Sequence, residues 1–244
     1  MKHQQFQCCY HNWVAQQRLD LDELLQTLTH YWTDPDYLKL ITNKIINHFE
    51  NYSHARAELA KHDSPSFLAP TWGSTFENSF LWIGGCRPSL IIRIVYALCG
   101  SQLNAHFEEF LEGIRHGNLG EISTDAPLVL LANDHREAGE TGRDEVVDKA
   151  MDRHALDIYN VLIEADKLRL STLKGMIDIL TPLQSVEFLV ASKKLHLFLH
   201  EWSKRRDMKM GITHLLNTYN PSSSRDPPPP PEPCGPPPPP PAEP

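Results

Sequence analysis

The chain has 244 residues, a net charge of −8 and five scattered cysteines that form no CxxC pair. The acidic charge argues against a protein that coats duplex DNA, and no apolar stretch reaches the roughly 18–20 residues of a membrane span. The N-terminus lacks the apolar core of a secretory signal, so we expect a reducing intracellular compartment, with neither a disulfide framework nor a zinc or other metal site.

The first half of the chain predicts helices, because its apolar residues recur every three to four positions. One stripe runs from Phe6 to Leu28 and a second from Leu38 to Tyr52. Between them, Asp34 followed by Pro35 is typical of an N-cap and a first-turn proline. The segment HDSPSFLAP then breaks the pattern and predicts a loop.

The segment FLWIGGCRPS predicts a tight corner between two helices. A stripe from Trp72 to Ile83 runs into Gly84 and Gly85, which tolerate positive φ. Pro88 then suits the first position of a helix that continues to Leu98. We expect the corner to hold a buried tryptophan, Trp82, on one side and a lone arginine, Arg87, on the other.

The second half of the chain continues the helical pattern. Two further helices are predicted in residues 103–117 and after Ser123, and Gly139 and Gly142 indicate a break. A long stripe follows over residues 147–168, then a short one over 173–180. The final predicted helix spans residues 183–206 and is apolar on more than one face, which favours a central position.

Proline usage separates the last residues from the rest. Fourteen of the twenty prolines lie between residues 221 and 244. Such a segment cannot form a packed core and is typical of extended or disordered chain. The sequence therefore predicts an all-α protein: a single multi-helix bundle over residues 1–215 with a disordered proline-rich C-terminal tail over residues 216–244.

Several segments carry a family resemblance. PTWGSTFENSF followed by WIGGCRPS resembles the plant delay-of-germination domain, which also follows the leucine zipper in TGA-type bZIP transcription factors. HNWVAQQRLDLDELL is similar to that family's N-terminal helix, and residues 165–207 are similar to its C-terminal block. The resemblance covers most of residues 5–210, departs at HREAGETGRDEV (residues 135–146) and excludes the proline tail.

The resemblance implies a regulatory protein. No basic region or heptad zipper precedes the domain, so the chain resembles a stand-alone member of the seed dormancy and abscisic-acid response branch. Its implied partners are type 2C protein phosphatases. The alternative is a transcriptional co-regulator that associates with DNA-bound bZIP factors. We do not expect direct DNA binding. We expect the protein to reside in the nucleus and the cytoplasm. The sequence leaves open whether it forms a homodimer.

His196 and His200 lie one helical turn apart in LHLFLHEW. The resemblance implies that such a pair binds haem, and an imidazole can ligate haem iron. Two histidines one turn apart cannot take opposite axial positions on one iron, so at most one is a simple axial ligand unless the helix distorts or the protein dimerises. The alternative is a pair of ordinary helix histidines, since 13 histidines are present.

Other candidate residues also have two interpretations. Gly84, Gly85 and Arg87 could bind an anion at the start of the next helix, or Arg87 could pair with a carboxylate or cap the preceding helix. A basic cluster near the end of the last helix could direct nuclear import or complete that helix. The proline tail could dock on aromatic grooves or stay solvated. The four tryptophans at helical spacing are interpreted as core: Trp13, Trp72, Trp82 and Trp202.

Catalytic motifs are missing from the sequence. It contains no GxSxG elbow, HExxH motif, P-loop or dinucleotide-binding GxGxxG motif. We therefore expect no enzymatic activity and no catalytic residues. A haem-dependent enzyme or sensor remains the weaker alternative.

Overall fold

The structure, a computed structural model, describes residues 2–99 and 140–212. The described residues form seven helices and no strand. In chain order the helices are α1 (Lys2–His30), α2 (Pro35–Ala60), α3 (Pro65–Leu68), α4 (Thr75–Phe80), α5 (Pro88–Cys99), α6 (Glu140–Ile179) and α7 (Pro182–Lys209). The all-α prediction is confirmed for this part of the chain.

The helix starts follow from side chains that satisfy free backbone N–H groups. The Asp34 carboxylate accepts hydrogen bonds from the N–H groups of Asp36 and Tyr37, and Pro35 opens α2. Thr181 and Gln184 form a reciprocal capping box at the start of α7. The helix start predicted at Asp34-Pro35 is therefore confirmed, as is the boundary predicted between residues 180 and 183.

The predicted break at Gly142 is wrong. Gly142 lies inside α6, a single 40-residue helix that also joins the two apolar stripes over residues 147–168 and 173–180. One glycine in a helix costs only about 1 kcal/mol relative to alanine, so the flanking turns can carry the helix through it. Gly139, the helices predicted in residues 103–117 and after Ser123, and the proline tail lie outside the described residues.

Helix α7 occupies the centre of the bundle, as its apolar character predicts. It packs against α1, α2, α4 and α5. The main core lies around its first half and combines buried aliphatic and aromatic side chains from five helices: Leu24, Leu38, Ile41, Ile45, Val95, Met176, Leu180, Val186, Phe188, Leu189 and Val190. A smaller cluster is formed by Phe6, Ala60, Phe67, Ile158 and Leu162.

The glycine corner is a tight backbone turn. Helix α4 ends at Phe80, so the prediction that this helix continues to Ile83 is wrong. The Trp82 N–H donates to the Gly85 carbonyl at 2.7 Å, and the Gly85 N–H donates to the Trp82 carbonyl at 3.2 Å. The two central residues, Ile83 and Gly84, have φ of 46° and 65°, as in a type I′ turn.

Close packing explains both glycines. A Cβ on Gly84 would lie 2.8 Å from the Phe67 carbonyl oxygen, and one on Gly85 would lie 2.7 Å from Cζ of Arg169. Positive φ at Ile83 is unfavourable for a β-branched residue, so the contacts around the turn must hold it in place.

The core role that the sequence predicts for the tryptophans holds only in part: Trp72 packs against the smaller core cluster, but none of the four is fully buried. Trp13, Trp72 and Trp82 are half-buried, and Trp202 is 38% exposed. Trp13 and Trp72 line a cavity, while Trp82 lies against a guanidinium group of α6. Tryptophan is large and amphipathic, so helical spacing alone does not distinguish a core position from a cavity wall. None of the described helices has the length and apolarity needed to cross a membrane.

Two glycine substitutions test the packing of the corner. Gly84 and Gly211 have nearly equal φ, 65° and 66°, but a Cβ on Gly211 would meet no atom within 4 Å. Gly211→Ala should therefore cost only the left-handed strain, roughly 1 kcal/mol. Gly84→Ala should cost roughly 2 kcal/mol more because it also overpacks the corner. Urea unfolding followed by circular dichroism measures both, and equal losses would contradict the tight packing.

Candidate functional site

A mostly apolar cavity of about 270 Å³ lies between α1, α2, the glycine corner, α6 and α7. Aromatic rings form much of its wall. Trp13 stacks on Tyr52 with ring centroids 4.3 Å apart, and Phe6, Phe67 and Trp72 contact one another edge-on or tilted. Concave, mostly apolar sites with a few polar groups are typical of small-molecule binding.

Arg169 holds the glycine corner against α6. Its side chain is 1% exposed, and its Nε donates to the Cys86 carbonyl at 2.9 Å. Its Nη2 donates to the carbonyls of Trp82 and Ile83, and its Nη1 pairs with Asp166 at 2.5 Å. The guanidinium thus satisfies three turn carbonyls at once.

The sequence assigned the corner cation to Arg87, but the structure places Arg169 there. Arg87 is exposed, and its side chain makes no ion pair or hydrogen bond with the described residues. Gly84 and Gly85 line the cavity and pack against Arg56 and Arg169 respectively. Their anion-binding role with Arg87 stays a prediction.

The two histidines of α7 have different environments. His196 lines the cavity and makes no hydrogen bond with the described residues. Burial lowers the pKa of His196 to about 4, so its imidazole is neutral at physiological pH. His200 is 1% exposed and is absent from the described cavity wall.

His200 belongs to a buried hydrogen-bond network centred on Glu77. Its Nδ1 donates to Glu77 Oε1 at 2.6 Å, and the Tyr10 hydroxyl donates to the same oxygen at 2.7 Å. Ser74 donates its N–H and hydroxyl to Oε2. Burial alone would raise the pKa of Glu77, but the hydrogen bonds from His200 and Ser74 hold it at about 2.

A second buried charge pair joins α1 to α7. Lys193 Nζ lies 2.8 Å from Asp20 Oδ2, and both side chains are almost fully buried. His48 and Gln16 contact the other oxygen of Asp20 at 2.8 Å. Burial would raise the pKa of Asp20, but Lys193 and these hydrogen bonds lower it, so the carboxylate stays charged.

Sequence reasoning missed these buried charges. The sequence does contain a signal for buried charges, because Arg56 and Lys193 each lie on a helical face that is otherwise apolar. The spacing of Asp166 and Arg169, three residues apart, also favours a pair on one helix face. No group of three or more His, Cys, Asp or Glu side chains in the described ranges could hold a metal ion.

Comparisons with known proteins show which sequences this chain resembles. The family model described as seed dormancy control matches residues 20–97. Protein DOG1-like 3 of Arabidopsis thaliana is 33% identical over 82% of this chain and 84% of its own length. Protein DOG1-like 2 of the same plant is 35% identical over 84% of this chain and 92% of its own length. Arabidopsis transcription factor TGA2 is 27% identical over 76% of this chain and 59% of its own length.

The Glu77 network predicts a defined acid sensitivity. Because the pKa of Glu77 falls from 4.5 to about 2 on folding, its stabilisation is complete above about pH 4.5 and is lost as the pH falls towards 2. Glu77→Gln should lower the free energy of unfolding at neutral pH by on the order of 3 kcal/mol and flatten the acid limb.

Urea unfolding across this pH range is the measurement. Glu187, an exposed glutamate on α7, provides the matched control Glu187→Gln. An acid limb that is as steep in Glu77→Gln as in the parent protein would show that the network contributes nothing.

Proposed function

The chain belongs to the seed dormancy control family, and we propose that it is a non-enzymatic regulatory protein that acts by binding another protein. Its relatives are named as DOG1-like proteins and a transcription factor, not as enzymes. The partner class that the resemblance implies is the type 2C protein phosphatases.

An exposed aromatic patch on α4 and α7 supports a protein-binding role. The patch consists of Phe76, Phe80 and Trp202, together with Phe198, which lies one helical turn before Trp202 on α7. Phe80, Phe198 and Trp202 are 49%, 59% and 38% exposed. Phe76 contacts both Phe80 and Trp202, with ring centroids 5.0 and 4.6 Å apart.

The chemistry of this patch suits a protein interface. The Arg206 guanidinium lies 5.6 Å from the ring of Phe76 and adds a cation at the rim of the patch. Aromatic and arginine side chains dominate the binding energy of protein interfaces. This patch is the observation that carries the proposal.

Matched tryptophan substitutions test the patch. Trp202→Ala combined with Phe80→Ala should weaken binding of a purified type 2C phosphatase at least tenfold, the usual size of a hot-spot loss. Trp32→Ala is the control, since Trp32 is 57% exposed in the turn between α1 and α2. Calorimetric titration measures the affinities. Absence of binding by the folded parent protein would refute the phosphatase as partner.

Association with bZIP factors is the second candidate, favoured by the match to TGA2 over 76% of this chain. This second candidate function also implies that the protein resides in the nucleus. In a gel-shift experiment, the chain alone should leave a TGA-bound duplex sequence unshifted and should further retard the complex of a TGA-type factor with that duplex. A specific shift by the chain alone would contradict the proposed indirect role.

For the cavity, we propose that it binds haem. His196 fits a single axial ligand, because its imidazole is neutral and faces the cavity without a hydrogen-bond partner among the described residues. His200 does not fit as a second ligand from that wall, since its Nδ1 is held by Glu77. Bound haem would supply an iron that His196 ligates. The cavity volume is below the usual 300–1,000 Å³ of ligand pockets, so a porphyrin requires its walls to move apart.

Absorbance spectra with hemin test this assignment. His196→Ala should remove the Soret shift, whereas His200→Asn should keep it, because an asparagine amide can still donate to Glu77. His54→Ala, at an exposed position of α2, is the control. A Soret shift that survives in His196→Ala would exclude this ligand.

A further inference from the structure

Three residues that line the cavity carry polar atoms with no hydrogen-bond partner among the described residues. They are Nε2 of Gln17, Oγ of Ser53 and Nη2 of Arg56. Gln17 and Arg56 are only 4% and 6% exposed, and all three residues line the cavity. Buried polar atoms are rarely unpaired because each one loses its hydrogen bonds to water. Three among the residues that line one cavity therefore indicate a ligand with hydrogen-bond acceptors.

The charge of the cavity wall favours an anion. Arg56 Nε lies 3.2 Å from Oδ2 of Asp166, and Arg169 pairs with the other oxygen of the same carboxylate. Two buried guanidinium groups thus share one carboxylate, which leaves one positive charge in excess. Arg169 uses its donors on Asp166 and the corner carbonyls, so the uncommitted donor belongs to Arg56.

The other charged groups on the cavity wall do not offset this excess. Lys193 is paired with Asp20, and Glu77 is engaged by His200, Tyr10 and Ser74. His196 is neutral. A ligand with a single negative charge would therefore balance the site, whereas a dianion such as phosphate would overcompensate it.

The remainder of the wall defines the body of the ligand. The Arg56 guanidinium lies 5.7 Å from the ring of Tyr52 and 5.5 Å from that of Phe67, so aromatic surface begins next to the cation. Trp13 and Trp72 extend this surface. Aromatic walls stack well on flat rings, and a volume of about 270 Å³ suits a compact molecule.

We infer that the cavity binds a compact, mostly apolar carboxylic acid whose carboxylate accepts hydrogen bonds from Arg56, Gln17 and Ser53. The guanidinium supplies the charge-assisted hydrogen bond, and the amide and the hydroxyl satisfy the remaining lone pairs. This site uses neither His196 nor a ring of the aromatic patch for its polar contacts, although His196 and Phe80 line the same cavity. Its failure would therefore leave the proposals for a protein partner and for haem untouched.

Calorimetric titration of the full chain with sodium 2-naphthoate tests the inference. The neutral analogue naphthalen-2-ylmethanol has the same ring but no charge. The acid should bind at least tenfold more tightly, since a hydrogen bond to a charged group contributes that much or more. Equal affinities for acid and alcohol, or no binding of either by folded protein, would overturn the inference.

Variants locate the carboxylate. Arg56→Gln should remove the preference for the acid, while Asp166 keeps its partner Arg169. Gln17→Leu and Ser53→Ala leave the ion pairs intact. Each should lower the affinity for the acid several-fold without changing the affinity for the alcohol. Arg153→Gln, at a 70% exposed side chain of α6, is the control and should bind like the parent protein. An unchanged acid preference in Gln17→Leu and Ser53→Ala would place the carboxylate elsewhere and refute the site.

Discussion

The buried guanidinium of Arg169 is the constraint on which the glycine corner depends. The turn between α4 and α5 points several carbonyls inward, and backbone carbonyls buried without partners are costly. Arg169 binds three of them and, through Asp166, connects the corner to Arg56 on α2. Gly85 is required because its missing side chain leaves room for this guanidinium. One side chain of α6 therefore positions the glycine corner and, through Asp166, also fixes Arg56 of α2 relative to α6.

Charges of this kind specify how helices fit together more than they add stability. A buried ion pair often contributes little net free energy, because desolvation of the charges offsets their attraction. Breaking one is nevertheless costly, so any other arrangement of α1, α2, α6 and α7 would leave an unpaired charge in the core. The change of character along α7 follows this logic. Its buried face is apolar around Phe188 and becomes polar towards Lys193, His200 and Asp207, where it meets partners on α1 and α4.

The sequence predicts local features well and distant partners poorly. The starts of α2 and α7 and the reversal at Gly84 follow from a few neighbouring residues, because caps and turns depend on local backbone geometry. Arg87 is the nearest cation in sequence to the corner, but Arg169, 83 residues after the Cys86 carbonyl that it binds, occupies it. Hydrophobic periodicity carries no information about which buried charged side chains form a pair. The same limit applies to the histidine pair. The sequence places both histidines on α7, but it does not predict that His196 lines the cavity while His200 binds Glu77.

Helix α4 links the cavity to the exposed aromatic patch. It has only six residues, too few to be stable alone, so its position depends on contacts with α7. Glu77 lines the cavity and is fixed by His200, Phe80 lines the cavity and also belongs to the patch, and Phe76 belongs to the patch alone. Asp207 of α7 holds the start of α4 through the N–H and hydroxyl of Thr75, both at 2.8 Å. Because one short helix contributes to both surfaces, a displacement of Glu77 would also displace the aromatic rings, so the geometry of the patch depends on the hydrogen bonds beside the cavity.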